Sequence, residues 1–486
     1  MKNVTLEKRY GLFTAICMVV GIVIGSGVFY KAQNILQHTG GNMWLGIVSW
    51  LIGGAVMMLC AYTFGNFATR YLKVNGMVDY AEAIVGERYA YMTGWFISTI
   101  YFPSMTSVLA WVSARYTLAL FYGADLPEHF TSGLCMGLGA FYLILSYVLN
   151  MISPRLAGKF QIGTTVFKLI PLGVMVIVGT VIGLLNGNTA EAFAPHHISA
   201  VENGTGGVFR GIAAAAFAYE GWIIATSINA EVKDSKRNLP RALIIGTAVI
   251  MVVYITYFIG LTGCADIDTL IAEGAPAAFF NLFGNIGGTI LNVCVVVSCL
   301  GTLNGLMLAS TRSLYSVAVR GHGPAPHVFS QVDQATNMPS NSGILSLGIC
   351  AAWFFYFFAA NLHSSPIFGL FSFDSSELPI ITIYALYAPL FIMFIMKEGR
   401  KAKGATAIFR DVVMPALALA ASLFMIAVAI LAHGVFPFLD AKESETFSFP
   451  VLFYLIVFVA VMGIGALFYR GGKKQESNSE SSSKSE

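Results

Sequence analysis

Three apolar stretches of this chain carry residues that a continuous apolar helix has no use for. The stretch GIVIGSGVFYKA, residues 21–32, sets Gly25, Ser26 and Gly27 inside a run that begins near Gly11. The stretch FRGIAAAAFAYEGWIIATSINAEVKD sets Glu220 beside Gly221, and KFQIGTTVFKLIPLGVMVIV holds Lys168. Glycine has the weakest helix preference after proline, so in the first two stretches a helix can stop and restart. Opening a helix at Gly25–Gly27 frees the amide N–H groups that begin its second half. That end carries partial positive charge and suits a carboxylate. The same opening frees carbonyl oxygens around Val23 and Ile24, which accept from an ammonium group. The second break offers matching carbonyls from Phe217 and Ala218 to Glu220, next to Gly221. Two such breaks together fit a zwitterionic α-amino acid and leave its side chain to be read elsewhere. The competing reading is that Gly-Ser-Gly only lets two helices pack closely; the second break weighs against it.

The elements that would hold these residues are membrane spans. Of 486 residues, 56% are hydrophobic and 11% charged, against about 25% charged in a soluble domain. Runs long enough to cross the hydrocarbon core, about 20 residues each, recur along nearly the whole length. Twelve are read, at 11–36, 42–67, 89–121, 131–152, 160–185, 208–230, 239–264, 286–319, 341–361, 367–396, 408–433 and 449–469. The mostly polar residues 1–10 are not followed by the cleavage pattern of a removable signal peptide, and the polar tail 471–486 is too poor in apolar residues to fold. With residues 1–10 in the cytoplasm, the inside segments collect 23 lysines and arginines. The outside segments keep only Lys31, Arg115, Arg210 and Lys442, and Lys168 is left within a span. Positive charge resists translocation, so both termini are expected in the cytoplasm and the protein in the plasma membrane.

On this count the first span enters from inside and the sixth from outside. Two interrupted spans at matching places in halves of opposite topology point to inverted repeats with a site between them. The expected fold is an all-α polytopic membrane protein of 12 transmembrane helices, with discontinuous helices 1 and 6. Residues 11–185 form a first five-helix repeat, 208–396 a second, inverted one, and 408–469 two further helices. Glu220 lies about 12 residues into its span, roughly 18 Å deep at helical rise. A glutamate there is costly unless it faces protein or water, and irregular backbone at that depth survives only where it lines a cavity.

Lys168 lies about 8 residues past Lys159, roughly 12 Å inward. It either snorkels back to the headgroups or points into the protein, where its ammonium needs carbonyls or a carboxylate. Held inside, it would act as a bound sodium ion does, tying the first span to the eighth, or carry a proton. In the tenth span FSFDSSELPI places Asp374 and Glu377 near the outer end; they fall in a loop if the helix starts near Pro379. The seven cysteines are scattered without a disulfide framework, and the eight histidines sit in loops or near span ends. There is no zinc spacing, His-Glu metal helix or serine elbow, so no metal, cofactor or enzyme chemistry is expected. Each odd feature occurs once, whereas a channel filter is built from repeats or rings of like charge. The net charge of +3 is small; the expected partners are a lipid bilayer and a small-molecule substrate, with no nucleic acid.

Five motifs in order carry a resemblance: IGSGVF (24–29), FAYEGW (217–222), AEVKDSKRNLPRA (230–242), SCLGTLNG (298–305) and VAVRGHGPAPHV (317–328). Together they resemble the amino acid–polyamine–organocation superfamily, and within it bacterial members of the L-type amino acid transporter family, serine/threonine exchangers among them. The resemblance implies a LeuT-like core of five plus five helices. It also implies sodium-independent exchange of small neutral L-amino acids of the serine, threonine or alanine type by alternating access. A proton-coupled symporter and a cationic amino acid transporter are the alternatives. Carried over by motif, the amides of Ser26 and Gly27 bind the substrate carboxylate, and the carbonyls of Val23, Phe217 and Glu220 take its ammonium. The Phe217 ring forms a lid on the outer side, and Lys168 stands in the sodium place. Thr302 is either the eighth-span neighbour of Lys168 or a side-chain pocket contact. Glu220 departs from relatives that often have glycine; it attracts a cationic substrate, joins proton coupling or pairs with another charge. In animal relatives a cysteine between spans three and four bonds an accessory glycoprotein. The connection YGADLPEHFTSG (122–133) has none, so no accessory heavy-chain glycoprotein is expected.

Overall fold

In hydrocarbon no water completes an unpaired backbone group, so a chain crossing lipid bonds its N–H and C=O groups within helices. The computed structural model describes residues 11–25, 27–71, 76–122, 131–152, 154–194, 204–223, 232–336, 338–362, 367–443 and 449–469. Among these residues no strand occurs, and ten helices are long and apolar enough to cross a membrane. Two further apolar helices, Leu12–Gly21 and Gly206–Ala218, are shorter than that; they occupy the first and sixth spans. The expectations for residues 1–10, Ser26, 224–230, 471–486 and most of the connection 122–133 fall outside the described residues.

The first span consists of α1 (Leu12–Val23) and α2 (Gly27–His38). Helices α3 (Met43–Arg70), α4 (Glu87–Tyr122) and α5 (Gly133–Ile152) follow. Helix α6 (Pro154–Val174) continues through a π-turn into Thr180–Asn186. The described half of the sixth span is α7 (Gly204–Ala218). Then come α8 (Ser235–Thr262), α9 (Ala275–Val319) and α10 (Ser340–Phe357). Helices α11 (Leu378–Glu398), α12 (Ala405–Ala441) and α13 (Pro450–Leu467) close the order.

One span boundary agrees and one differs, each for an identifiable reason. Gly284, at φ 62° and ψ −170°, leaves helical geometry and separates a short preceding helix from the eighth span, which starts near the expected 286. The tenth starts at Leu378 rather than 367, with Pro379 in the first turn, where its missing N–H costs nothing. Ahead of it, the Asp374 carboxylate accepts from the backbone N–H groups of Ser376 (2.6 Å) and Glu377 (3.0 Å). That turn competes with helix in the way short polar side chains do.

The packing respects the exchange of halves. Helix α3 lies along α8 and α4 along α9, while α1 packs on α8 and α7 on α3. Replacing each of spans 1–5 by the span five later converts the contact of α1 with α8 into that of α7 with α3. An aromatic cluster fixes the sixth span between these neighbours: Tyr219 stacks on Tyr254 of α8 at 5.1 Å, and Trp50 of α3 meets each edge-on at 5.5 Å.

Three helix ends are tied by charge on the opposite side from α2. Arg70 of α3 donates to Glu398 of α11 and lies 2.5 Å from Asp411 of α12. Asn66 (3.0 Å) and Arg410 (2.9 Å) complete the shell of Asp411. Removing one partner of a buried pair costs about 3–5 kcal/mol, and part-exposure of the two arginines places this cluster lower. Asp411→Asn is therefore expected to cost about 2–3 kcal/mol, whereas Lys401→Ala, an exposed partner of Glu398 at 2.9 Å, stays within about 0.5 kcal/mol. Thermal unfolding of the purified variants in detergent checks this; equal midpoints would remove the cluster from the supports of the fold.

Candidate functional site

Both breaks are present. Helix α1 closes with the Ile24 N–H bonded to the Val20 carbonyl at 2.9 Å, and Ile24 then turns extended at φ −65°, ψ 102°. Gly25 bends the chain and α2 restarts at Gly27. In the sixth span α7 ends at Ala218, where the Tyr219 and Glu220 N–H groups still reach back to the Ala215 (3.0 Å) and Phe217 (3.3 Å) carbonyls. Gly221, at φ 107°, then carries the chain out of helical geometry, a conformation open to glycine and strained for other residues. The breaks touch: a Cβ on Gly27 would lie 2.8 Å from the Ala218 Cα.

The carbonyls freed by the breaks find partners from other spans. The Tyr254 hydroxyl of α8 lies 3.1 Å from the Val23 carbonyl oxygen and 3.2 Å from that of Ala218, so its single proton is shared between carbonyls of the two breaks. Lys168 of α6 donates from its ammonium to the Gly21 carbonyl. Its side chain is 3% exposed, so it points into the protein and does not snorkel. Among the described residues, the hydrogen bond it makes runs from the fifth span to the first.

Between the breaks lies a cavity of about 200 Å³. Of the residues expected from sequence, Val23, Gly25, Gly27, Phe217, Ala218, Glu220, Gly221, Thr302 and Lys168 line it. Ile24 is buried outside the lining. Thr302 bonds its own helix at Ser298 (3.0 Å) and packs on Gly25, where a Cβ would meet its Oγ1 at 3.1 Å. It is a wall of the cavity. Sequence reading missed the remaining lining, Met105 and Leu109 of α4 with Gly305, Leu306 and Ala309 of α9. The i, i+4 spacing of each set marks one helix face, but apolar faces recur in every span and the pattern alone singles out neither.

Glu220 is 5% exposed. Its Oε1 accepts from the Tyr101 hydroxyl, and its Oε2 has no hydrogen-bond partner among the described residues. Tyr101 sits at the end of a π-turn, Ile97–Tyr101, inside α4; such turns rotate the following side chains relative to a regular helix. Two further charges depart from expectation. Lys31, counted among the outside segments, is fully buried on α2, 2.7 Å from Glu377. Glu377 does precede its helix, as the loop reading holds, yet it is buried at 3% exposure.

The description "amino acid permease" fits this chain over residues 10–462. The chain belongs to that family. The permease is 29% identical over 430 residues to the serine/threonine exchanger SteT of Bacillus subtilis, an alignment covering 87% of this chain and 91% of the relative. It is 28% identical over 344 residues to the large neutral amino acids transporter small subunit 2 of Rattus norvegicus, covering 70% of this chain and 63% of that protein. Among solved structures, MhsT in complex with L-phenylalanine superposes with a TM-score of 0.57 at 15% identity, over 85% of this chain and 98% of the other. That likeness shows the fold, which is the LeuT-like one with discontinuous first and sixth spans.

The two glycine contacts differ in what can yield. Gly27→Ala meets backbone and is expected to lower the stability of the permease by about 1–3 kcal/mol. The nearest atoms that Gly25→Ala meets belong to the Thr302 side chain, so the double variant Gly25→Ala/Thr302→Ala should recover most of the loss of the single one. Melting midpoints in detergent read both; a double variant no better than Gly25→Ala alone would mean that the break does not press on Thr302.

Proposed function

We propose that this permease exchanges small neutral L-amino acids across the plasma membrane without sodium, by alternating access, with both termini in the cytoplasm. The observation that carries the reading is one cavity onto which two interrupted helices open, with backbone groups of opposite polarity at its edge. The amides of Ser26 and Gly27 take the substrate carboxylate. The carbonyls of Val23, Phe217 and Glu220 take its ammonium, and the Phe217 ring covers it. Lys168 holds α1 by the ammonium that would otherwise be a sodium ion. Residues 11–185 and 208–396 are the two repeats that move against each other, and 408–469 lie outside them. No catalytic group, cofactor or accessory heavy chain takes part in this scheme.

A second reading rests on Glu220. It stands just beyond the C-terminal end of α7, where the helix dipole is already negative, with one carboxylate oxygen that has no hydrogen-bond partner among the described residues. A cation next to it is favoured on both counts. That cation is the ammonium of any amino acid, the side chain of a cationic one, or a proton.

The test is exchange in liposomes. Vesicles loaded with unlabelled amino acid should take up labelled amino acid faster than empty ones, and a competition panel of the twenty amino acids fixes the substrate class. Equal uptake by loaded and empty vesicles would replace exchange by uniport or symport. Lys168→Ala is expected to slow exchange at least about tenfold, a loss of about 1.4 kcal/mol, with normal protein yield. Unchanged flux would remove Lys168 from the mechanism. Glu220→Gln should spare neutral substrates if the carboxylate serves only cationic ones, and should abolish any response to a pH gradient if it carries the proton.

A further inference from the structure

Arg312 is a charge that the transport reading leaves unused. It lies on α9, eight residues or about 12 Å at helical rise short of Arg320, which caps the helix and pairs with Asp79 at 2.6 Å. Arg312 itself is exposed and has no hydrogen-bond or ion-pair partner among the described residues. An arginine inside a span faces the protein interior or a water-filled space unless it reaches the headgroups.

The exposure of its neighbours says which. From Gly301 to Arg312 every residue is buried except Thr302, Gly305, Leu308, Ala309 and Arg312. Thr302, Gly305 and Ala309 line the cavity. Arg312 follows Ala309 by three residues and Gly305 by seven, spacings that stay on one face of a helix. The open edge of α9 thus runs from the cavity to Arg312. Thr302, which packs on Gly25 at the first break, stands ten residues earlier, about 15 Å along the axis. That distance exceeds the length of a small amino acid, so a substrate seated between the breaks does not reach the guanidinium. The guanidinium is a planar fork of donors that matches a carboxylate in two parallel bonds, and a lone charge in a cleft raises the local concentration of its counter-ion.

We propose that Arg312 is a second binding station, on the cytoplasmic side of the cavity, that takes the α-carboxylate of an amino acid entering or leaving by that side. The inference rests on the transport reading and the orientation proposed above, and adds a site that this reading does not contain. The station acts on capture from one face and not on which side chain is accepted.

The experiment compares the two faces of the full-length protein. Inside-out and right-side-out membrane vesicles, preloaded with unlabelled L-serine and corrected for vesicles lacking the protein, take up tritiated L-serine over a range of concentrations. Arg312→Gln is expected to raise the half-saturating concentration about tenfold in inside-out vesicles and to leave it within about twofold in right-side-out ones. Arg312→Lys, which keeps the charge and loses the fork, should fall between wild type and Arg312→Gln at the cytoplasmic face only. An equal change at both faces, or a lowered melting midpoint with half-saturation unchanged, would overturn the station and assign the guanidinium to the fold or to a lipid phosphate. Should Arg312→Gln fail to fold, wild type still decides. Lactate, which has the carboxylate and hydroxyl of serine without its ammonium, should compete at lower concentration at the cytoplasmic face, and equal competition at both faces refutes the station. A wild-type protein that exchanges none of the twenty amino acids would instead refute the transport reading, and the station with it.

Discussion

A backbone N–H or C=O without a partner in hydrocarbon costs several kcal/mol, and this chain opens two helices where that cost is greatest. Everything at the centre of the molecule answers to that constraint. Tyr254 of α8 reaches the Val23 and Ala218 carbonyls at 3.1 and 3.2 Å, and Lys168 takes the Gly21 carbonyl. The Glu220 N–H, at 3.3 Å, takes the Phe217 carbonyl in a final turn. A carbonyl has two lone pairs, so a single partner holds it in place and leaves capacity for a ligand. The breaks support each other because they are adjacent: one tyrosine proton is shared between them, and Gly27 against Ala218 removes the gap between them.

The charges around the cavity follow from helix polarity. Gly21 lies in the last turn of α1, the negative end of that half-helix, and the Lys168 ammonium stands where a cation is favoured. The start of α2 faces the same space with the opposite sign, where a carboxylate is favoured. Glu220 runs against this order, a carboxylate at the negative end of α7. One hydroxyl, from Tyr101, supports it. An acidic group placed against the local field is evidence of use rather than of stability, because alanine or glutamine there would cost the fold less.

Much of this was legible in the sequence because breaks are local. Gly25–Gly27 and Glu220–Gly221 mark themselves against apolar surroundings, and the depth of Lys168 follows from counting residues at helical rise. Partners do not announce themselves in that way. Tyr254 and Tyr101 are single aromatic residues among many in apolar spans, and their roles depend on where other helices cross them. Lys31 and Glu377 are 346 residues apart, and charge counting treats Lys31 as a solvated residue because nothing nearby in sequence neutralises it. The start of the tenth span has the same cause. Gly284 marks the start of the eighth span by its own backbone, whereas for Pro379 tertiary packing decides whether it bends a helix or begins one.

At 15% identity the likeness to MhsT shows a shared fold, and a helix break needs no particular side chains to supply polar groups. Amides and carbonyls at a helix break are supplied by any sequence that breaks at the right depth, so the head group of the substrate can be held while side chains change around it. Side chains then carry what distinguishes one such protein from another. In this chain those are Glu220 beside the break, the Met105–Leu109 and Gly305–Ala309 faces of the wall, and the Lys31–Glu377 pair behind Phe217. The first two line the cavity itself, where the side chain of a substrate would be read, and the third lies behind the ring that lines it.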